Sequence, residues 1–444
     1  MTARDALGLT LSGAVTDSAA LFDAGVADLQ RFVGDPAAKA EAAIAARPDF
    51  AMAHALKGWL NGLSTEASAM QVAVQAAHEA RRHARTARER THAAALAHLM
   101  EGRWHAAGRA LAELTEAEPR DALALQAGHQ IDFFTGNASS LRDRIAAALP
   151  AWDVAMPGYH AVLGMHAFGL EETGDYVAAE RAGREAVRLE KRDGWAQHAV
   201  AHVMEMQGRL DEGIRWMRGN EKGWTEESFL QVHNWWHLAL FHFERGEADE
   251  VLALYDAPIY GSASGFVLNM VDASALLWRL HLGGVDVGGR WQKLADNWEP
   301  KAGAANYAFN DAHAMMAFVG AGREAAQAAL FDAQRRAMAE TGDNAVFTRE
   351  VGHPLALAIQ AFGNGNYAET VRLILPIREK THVFGGSHAQ RDVVELTLIE
   401  AALRGGQTAL AARLAATRRE AKPQSPLSAL FTSRAAQPAA SDGI

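Results

Sequence analysis

Four histidines of this chain form two His-x-x-x-His pairs. They are His198 with His202 and His233 with His237. On an α-helix, residues four apart lie one above the other, so each pair places two imidazoles on one face. Glu205 follows His198 by seven residues and returns to nearly the same face at about 100° per residue. Imidazoles beside a carboxylate can hold a polar or anionic ligand, or act as general acid and base near neutral pH.

The same histidines suggest a metal site as an alternative. Two histidines four residues apart with a carboxylate can bind zinc. The metalloprotease motif requires Glu directly after the first histidine, but Ala199 and Asn234 occupy those positions. The sequence has no cysteine, which removes thiolate ligands and cysteine nucleophiles. We therefore predict no metal and no cofactor, and a polar pocket is favoured over the structural interpretation in which neighbouring groups satisfy these imidazoles at a helix contact.

Polar residues on further predicted helices extend this set. Trp236 could supply an aromatic wall with an N–H donor, or it could pack in the core. Asp272 and Arg279 share a helix face but lie about 10 Å apart along the axis, so we expect each to pair with a neighbouring repeat. Asp311 and His313 lie at a predicted helix start, where Asp311 could instead act as the cap.

The segment GGSHAQRD contains the clearest local motif. Ser387 followed three residues later by Gln390 predicts a capping box at a helix N-terminus. With His388 and Arg391 nearby, such a helix start would suit a carboxylate or phosphate group, or it could be a capped helix and nothing more. Including His166, the candidate ligand-binding residues are His166, His198, His202, Glu205, His233, Trp236, His237, Asp272, Arg279, Asp311, His313, His388 and Arg391, and no catalytic residue is assigned.

Composition limits the class of protein that positions these residues. The chain has 444 residues, of which 49% are hydrophobic and 22% charged, with only 12 prolines, as expected for a continuous helix-rich protein. A net charge of -10 argues against a nucleic-acid partner. We predict a cytoplasmic protein without a membrane segment, because neither a signal sequence nor a long apolar run is present. The Arg-rich run at 81–90 is interpreted as a solvated helix face or connection, whereas Glu171 and Glu172 are further candidates, although such a pair on a surface helix is usually solvated.

Glycines that open a short motif recur every 34 to 43 residues along the chain. An interval of 34 to about 40 residues with helical periodicity between is typical of tetratricopeptide helix pairs. Glycine suits this turn because the residue that ends the first helix often adopts a left-handed conformation. These glycines are Gly102, Gly136, Gly174, Gly208, Gly246, Gly284, Gly322, Gly365 and Gly406. The sequence therefore predicts an all-α, tetratricopeptide-like helical-repeat solenoid.

The predicted domain organisation has three parts. Residues 1–34 form an N-terminal segment with weaker periodicity, and Asp35-Pro36 is typical of a helix start. Residues 35–418 form the helical-repeat domain. Residues 419–444 are rich in Ala, Ser and Pro, and we expect a poorly ordered tail.

Longer segments also carry a family resemblance. NWWH, NDAH and GGSHAQRD are not needed by an ordinary tetratricopeptide array. Together with GYHAVLGMHAFGLEETGDY and HAVAHVMEMQGRLDEGIRWM, they make the chain, over roughly residues 5 to 420, similar to the family of tetratricopeptide repeat protein 38. The resemblance implies the helical-repeat fold of that family and implies no particular chemistry.

Two classes of function remain. In the first, several repeats enclose one polar cavity that binds a small molecule and could carry out acid-base or hydrolytic chemistry. In the second, the protein is a non-enzymatic scaffold that binds a peptide or protein partner in a concave groove, the usual role of this architecture. The convergence of His, Trp, Asp and Arg favours the first. The sequence leaves enzymatic activity and homo-oligomerisation undecided.

Overall fold

The computed structural model describes residues 3–437 and is built almost entirely from helices. Within this range there are 25 α-helices and one two-stranded antiparallel sheet, in which Ala3 pairs with Leu11. The predicted all-α helical-repeat solenoid is therefore confirmed. None of the described helices combines the length and apolar character needed to cross a membrane.

The elements follow one another in pairs along the chain. The strands are β1 (Ala3–Arg4) and β2 (Thr10–Leu11). The helices are α1 (Thr16–Arg31), α2 (Pro36–Ala46), α3 (Ala51–Gly62), α4 (Met70–His83), α5 (Ala87–Met100), α6 (Trp104–Ala117), α7 (Ala122–Phe134), α8 (Ala138–Ala148), α9 (Tyr159–Glu172), α10 (Tyr176–Leu189), α11 (Gly194–Met206), α12 (Leu210–Gly219), α13 (Glu221–Thr225), α14 (Gln231–Glu244), α15 (Ala248–Leu254), α16 (Val267–Leu282), α17 (Arg290–Trp298), α18 (Ala308–Gly320), α19 (Glu324–Ala339), α20 (Asp343–Phe347), α21 (His353–Gly363), α22 (Tyr367–Ile374), α23 (His388–Arg404), α24 (Thr408–Ala421) and α25 (Pro426–Ala436). Short 3₁₀ segments occur at Ala67–Ala69, Leu149–Ala151, Glu299–Lys301 and Leu375–Phe384, and π-helical segments at Tyr255–Ile259 and Thr348–Gly352.

The chain divides into two compact units. Unit 1 contains the chain up to Val200, together with Asn220–Asn234 and Thr341–Asp343. Unit 2 contains Ala201–Gly219, Trp235–Glu340 and the chain from Asn344 onward.

All nine repeat glycines have a left-handed backbone, with φ between 64° and 86°. At Gly208, where φ is 67°, α11 ends two residues earlier and α12 begins two residues later. A residue with a Cβ is strained in this conformation, so glycine permits the tight connection between two helices. The predicted repeat period is confirmed at each of these turns.

Both ends of the predicted repeat domain contain further helices. The predicted helix start at Asp35 is confirmed, because its side chain accepts a hydrogen bond from the backbone N–H of Ala38. Beyond residue 418 the structure differs from the expected tail, since α24 continues to Ala421 and α25 follows. Ser425 caps α25 and Phe431 is buried. Ser followed by Pro is a helix-start signal that the composition of this segment obscured; residues 438–444 lie outside the described residues.

The first helix of a pair is buried on nearly all sides, and the second covers it. In α16, 13 of 16 residues are buried, and in α18, 11 of 13, whereas in α17 only 4 of 9 are buried. The polar residues predicted from the sequence fall on these first helices. Most of them lie in the protein interior, where an unpaired polar group is costly, and four are half-buried, namely His166, His233, His388 and Arg391.

Candidate functional site

The second half of α11 and most of α14 bring three titratable side chains together inside unit 2. The rings of His202 and His237 lie 4.4 Å apart between centroids, and both are fully buried. His237 Nδ1 lies 3.4 Å from Glu205 Oε2. Lys422 Nζ lies 3.5 Å from the other carboxylate oxygen, Glu205 Oε1. Three predicted residues thus meet, and a lysine that the sequence analysis did not consider joins them.

Arg279 extends this group through an aromatic contact. Its guanidinium carbon lies 5.2 Å from the ring centroid of Trp236, a cation–π arrangement. Arg279 Nη2 donates to the carbonyl of Ala389 at 2.6 Å, and Nη1 donates to the carbonyl of Ala275 at 3.2 Å. The side chain is only 2% exposed. Two backbone carbonyls and an indole face therefore hold the guanidinium in one orientation.

The charge of Arg279 has no ion-pair partner among residues 3–437. Burial lowers its pKa from the usual arginine value, although Asp392, Glu205 and Asp272 act in the opposite direction. Asp392 bonds Arg418, and Glu205 faces Lys422, so both carboxylates also contact another cation. Asp272 forms no direct ion pair with Arg279, as their separation along the helix predicts. Arg279 is thus a buried cation with no direct ion pair among residues 3–437, although three carboxylates act on it at longer range.

Asp392, Arg418 and Glu244 form a network in which two carboxylates share one guanidinium. Arg418 pairs with both oxygens of Asp392, with 3.1 Å between Nη2 and Oδ2, and lies 3.5 Å from Glu244 Oε1. The Ser425 hydroxyl donates to Glu244 Oε2 at 2.7 Å. Burial raises the pKa of Asp392, but Arg418 and Lys422 outweigh it and hold this pKa well below its usual range. This network could not be predicted from the sequence, because Arg418 lies in an Ala-rich helix at the end of the predicted domain.

Helix α18 contributes an acid and a neutral imidazole to unit 2. Asp311 Oδ2 accepts from Gln334 Nε2 at 3.3 Å, and burial raises its pKa to about 7. Asp311 does not cap α18, because Tyr307 is the N-cap residue and no side-chain cap bond forms. His313 Nδ1 donates to the Phe309 carbonyl at 2.8 Å, so Nε2 keeps its lone pair, for which residues 3–437 supply no hydrogen-bond partner. Burial, assisted by the charge of Arg279 and opposed by the hydrogen bond to Phe309, lowers the pKa of His313 to about 4.

The predicted capping box of GGSHAQRD is confirmed at the start of α23. The Ser387 hydroxyl accepts from the backbone N–H of Gln390, and the Gln390 side chain accepts from the backbone N–H of Ser387. Arg391 donates to the Gly386 carbonyl, and both Arg391 and His388 are half-buried. The Ala389 carbonyl of this segment accepts the hydrogen bond from Arg279.

Unit 1 contains the other member of each histidine pair. His198 Nε2 and His233 Nε2 lie 3.1 Å apart, so one ring must donate an N–H to the other. The rings of Trp195 and Phe168 lie 4.7 and 5.2 Å from that of His198 between centroids. The structure therefore supports an aromatic setting for this imidazole pair. His166 is half-buried on α9, where burial and then Arg142 lower its pKa.

The largest correction in unit 1 concerns Arg88. This residue was expected on a solvated face, but it is 7% exposed. Arg88 Nε donates to Asp121 Oδ2 at 2.7 Å and Nη2 donates to Asp121 Oδ1 at 3.3 Å, while Nη1 lies 3.1 Å from Asp5 Oδ2. Trp59 Nε1 donates to His92 Nδ1 at 3.1 Å, and His92 Nε2 donates to Asp121 Oδ2 at 3.0 Å. The expectation was wrong because one arginine of the run faces inward from α5.

Two further residues also depart from the expected solvated face. Glu171 and Glu172 at the end of α9 are 1% and 6% exposed, so they belong to the interior. Sequence reasoning also missed His129 on α7, which is fully buried, and burial lowers its pKa to about 3. An imidazole with this pKa is neutral at physiological pH.

Comparison with known families gives no match, since no protein-family model matches the chain. The fold is therefore assigned from the helices of the structure alone. The likeness to the family of tetratricopeptide repeat protein 38 stays a prediction from the quoted segments.

Proposed function

We propose that this chain is a helical-repeat protein of the tetratricopeptide repeat protein 38 family whose unit 2 binds a small carboxylate at Arg279. The observation that carries the proposal is the missing counter-ion of this buried guanidinium. An uncompensated buried charge costs several kcal/mol (about 3–5 when a partner is removed). A bound carboxylate would offset this cost and could accept two parallel N–H bonds.

The neighbours of Arg279 define what the ligand would contact. Trp236 supplies an apolar face beside the guanidinium. His313, whose pKa is lowered by the charge of Arg279, carries a buried Nε2 lone pair that could accept a hydrogen bond from a ligand hydroxyl or amine. The Ala389 carbonyl ties the site to the first turn of α23, where the helix dipole favours an anion.

The charge balance favours a monoanion. Asp392 and Glu244 share Arg418, and Glu205 faces Lys422, so these carboxylates already match the number of cations around Arg279, and Asp272 acts on Arg279 as well. A dianionic phosphate would add two negative charges close to these buried carboxylates, and a monocarboxylate only one. Like charges in a low-dielectric interior repel strongly, so a monocarboxylate is preferred.

Unit 2 also contains groups suited to proton transfer. His202, His237 and Glu205 lie together beside Lys422, and on α18 Asp311 has a pKa of about 7, close to the value useful for a general acid at neutral pH. These groups support acid-base or hydrolytic chemistry on the bound molecule.

Thermal unfolding with small anions tests the proposal. Acetate, propionate and succinate are compared with acetamide, propionamide and succinamide at equal ionic strength, and with inorganic phosphate. A monocarboxylate present at 100 times its Kd is expected to stabilise the wild type by about 2.7 kcal/mol. This gain is expected to disappear in Arg279→Met and to persist in Arg378→Met, which removes a partly exposed arginine paired with Glu395 in the same unit.

Two results would overturn the proposal. One is equal stabilisation by carboxylates and their amides. The other is carboxylate stabilisation that survives in Arg279→Met, with folding of the variant verified by circular dichroism.

A further inference from the structure

We propose that unit 1 contains a zinc-binding site formed by His54, Glu79 and His83. The site lies outside the Arg279 cluster and does not depend on the function proposed for it. Each of the three residues places one ligand atom within 4.8 Å of the other two. The site would join α3 to α4.

The packing of α3 against α4 fixes the three positions. His54 lies in the first turn of α3, and Glu79 and His83 lie four residues apart in the last part of α4. Residues at i and i+4 share one helix face, so these two side chains point the same way. The buried face of α4 consists of alanines, which let the two helices approach closely. These alanines are Ala73, Ala76, Ala77 and Ala80.

His54 is already oriented as a metal ligand. Its Nε2 lies 2.9 Å from the Pro48 carbonyl. A carbonyl only accepts, so Nε2 carries the proton and Nδ1 keeps the lone pair. Metal-binding histidines commonly donate their second ring N–H to a carbonyl or carboxylate, which fixes both the tautomer and the ring orientation. His54 is 7% exposed, so this orientation is also held by packing.

The distances lie near those of a tetrahedral zinc site. With zinc–ligand bonds of about 2.0–2.1 Å, neighbouring ligand atoms are about 3.3 Å apart. His83 Nε2 and Glu79 Oε2 are 3.3 Å apart. The rings of His54 and His83 lie 5.9 Å apart between centroids, with 18° between their planes. Two imidazoles on one tetrahedral metal have centroids about 5 Å apart, so shifts of about 1 Å complete the site.

Exposure and charge favour a site with an open position. The side chains of Glu79 and His83 are 33% and 20% exposed, so a metal ion can enter from solvent and retain a water as its fourth ligand. Arg82 Nη1 lies 3.6 Å from Glu79 Oε2, but its side chain is 67% exposed and can turn away. With no cysteine in the chain, nitrogen and oxygen ligands select zinc or a similar divalent ion.

Titration with Co²⁺, a spectroscopic substitute for zinc, tests the site in the full chain after EDTA dialysis. We expect visible absorption typical of four- or five-coordinate Co²⁺, and its loss when Zn²⁺ is added. Glu79→Gln and His83→Asn are expected to weaken Co²⁺ binding by more than about 100-fold, beyond the 10–100-fold effect of losing an outer-shell partner. His78→Asn is the matched control, because His78 is exposed on the same helix.

Each outcome decides the proposal. A spectrum lost in both ligand variants and retained in His78→Asn supports it. A wild type that takes up no Co²⁺ overturns it, as does a spectrum that survives in both ligand variants, which would assign the ion to other histidines. The carboxylate stabilisation at Arg279 is measured separately in metal-free protein, so failure here leaves that result unaffected.

Discussion

Arg88 in unit 1 and Arg279 in unit 2 are both buried arginines on the first helix of a repeat pair, but they differ in what neutralises them. Burial lowers the pKa of Arg88, but Asp121 and Asp5 outweigh it and the net shift is upward. Burial lowers the pKa of Arg279, which lacks a carboxylate of its own. Burial alone therefore does not set the pKa shift of a buried arginine. The carboxylates in direct contact with it decide the sign of the shift.

The carboxyl groups repeat this contrast. Burial raises the pKa of Asp121, but Arg88 and His92 outweigh it and hold this pKa far below its usual range. Asp311 has only the Gln334 amide, and burial raises its pKa to about 7. Unit 1 thus contains a fully paired network, whereas Arg279 and Asp311 in unit 2 have no direct ion pair among residues 3–437.

Arg88→Met is expected to have the largest effect on stability. The change leaves Asp121 and Asp5 buried without their cation, which should cost about 3–5 kcal/mol in the free energy of unfolding. Urea denaturation measures the loss. The control is Arg188→Met, because Arg188 forms an exposed pair with Glu185 whose loss should cost less than about 1 kcal/mol. Equal losses in the two variants would show that the Arg88 network does not stabilise unit 1.

Asp311→Asn is expected to alter the pH dependence of stability. The folded pKa of Asp311, about 7, exceeds the ordinary value of 3.8. Between pH 4 and 7 the unfolded carboxyl is ionised while the folded one holds its proton, so wild-type stability falls as pH rises, by at most about 1.4 kcal/mol per pH unit. The stability of Asp311→Asn should not fall in this way, so its free energy of unfolding relative to that of the wild type should increase between pH 4 and 7.

Asp121→Asn is expected to change the pH dependence of stability in the opposite direction. The lowered pKa of Asp121 stabilises the fold above pH 4, and this contribution is lost as pH falls below 4. Denaturation curves recorded from pH 3 to 8 should therefore show opposite trends for the two variants relative to the wild type. Parallel trends would contradict the contrast between the units.

Arg279→Met is expected to destabilise the ligand-free protein far less than Arg88→Met. The substitution leaves the Ala275 and Ala389 carbonyls without their hydrogen-bond donor, which should cost about 1–3 kcal/mol. It also removes a buried charge, and the desolvation free energy saved in this way partly offsets that cost. A net loss below about 2 kcal/mol is expected in the same urea assay. A loss equal to that of Arg88→Met would mean that Arg279 is compensated and structural.

Ser387→Ala is expected to have the smallest effect on stability, about 1 kcal/mol, through loss of the α23 cap. Because the first turn of α23 carries the Ala389 carbonyl that holds Arg279, this variant should also weaken carboxylate binding. Asp175→Ala removes a comparable cap from α10 in unit 1 and should leave binding unchanged. Equal carboxylate affinity in the two variants would show that the α23 cap does not contribute to binding at Arg279.

The fold was predictable because its signal is local and repeated. The glycines mark the turns directly, since each adopts the left-handed conformation that favours this residue. The contact of His202 with His237 was predictable for a related reason. Equivalent positions on successive first helices lie one repeat apart in sequence, and such positions pack against each other.

The same spacing could have revealed the Arg88 network. Trp59 and His92 are 33 residues apart, as are Arg88 and Asp121, close to one repeat. Other contacts carried no such signal. Arg279 and Ala389 are separated by 110 residues, and neither composition nor periodicity relates them. The counter-ion of a buried charge depends on these long-range contacts, so it could not be derived from the sequence.

A crystal structure with the carboxylate that stabilises the wild type most would examine the Arg279 site at atomic detail. We predict density for the carboxylate with both oxygens within about 2.7–3.2 Å of the Arg279 guanidinium nitrogens, and no such density in Arg279→Met crystals. Density for the ligand elsewhere, with Arg279 still bonded only to the Ala275 and Ala389 carbonyls, would contradict the role assigned to this arginine.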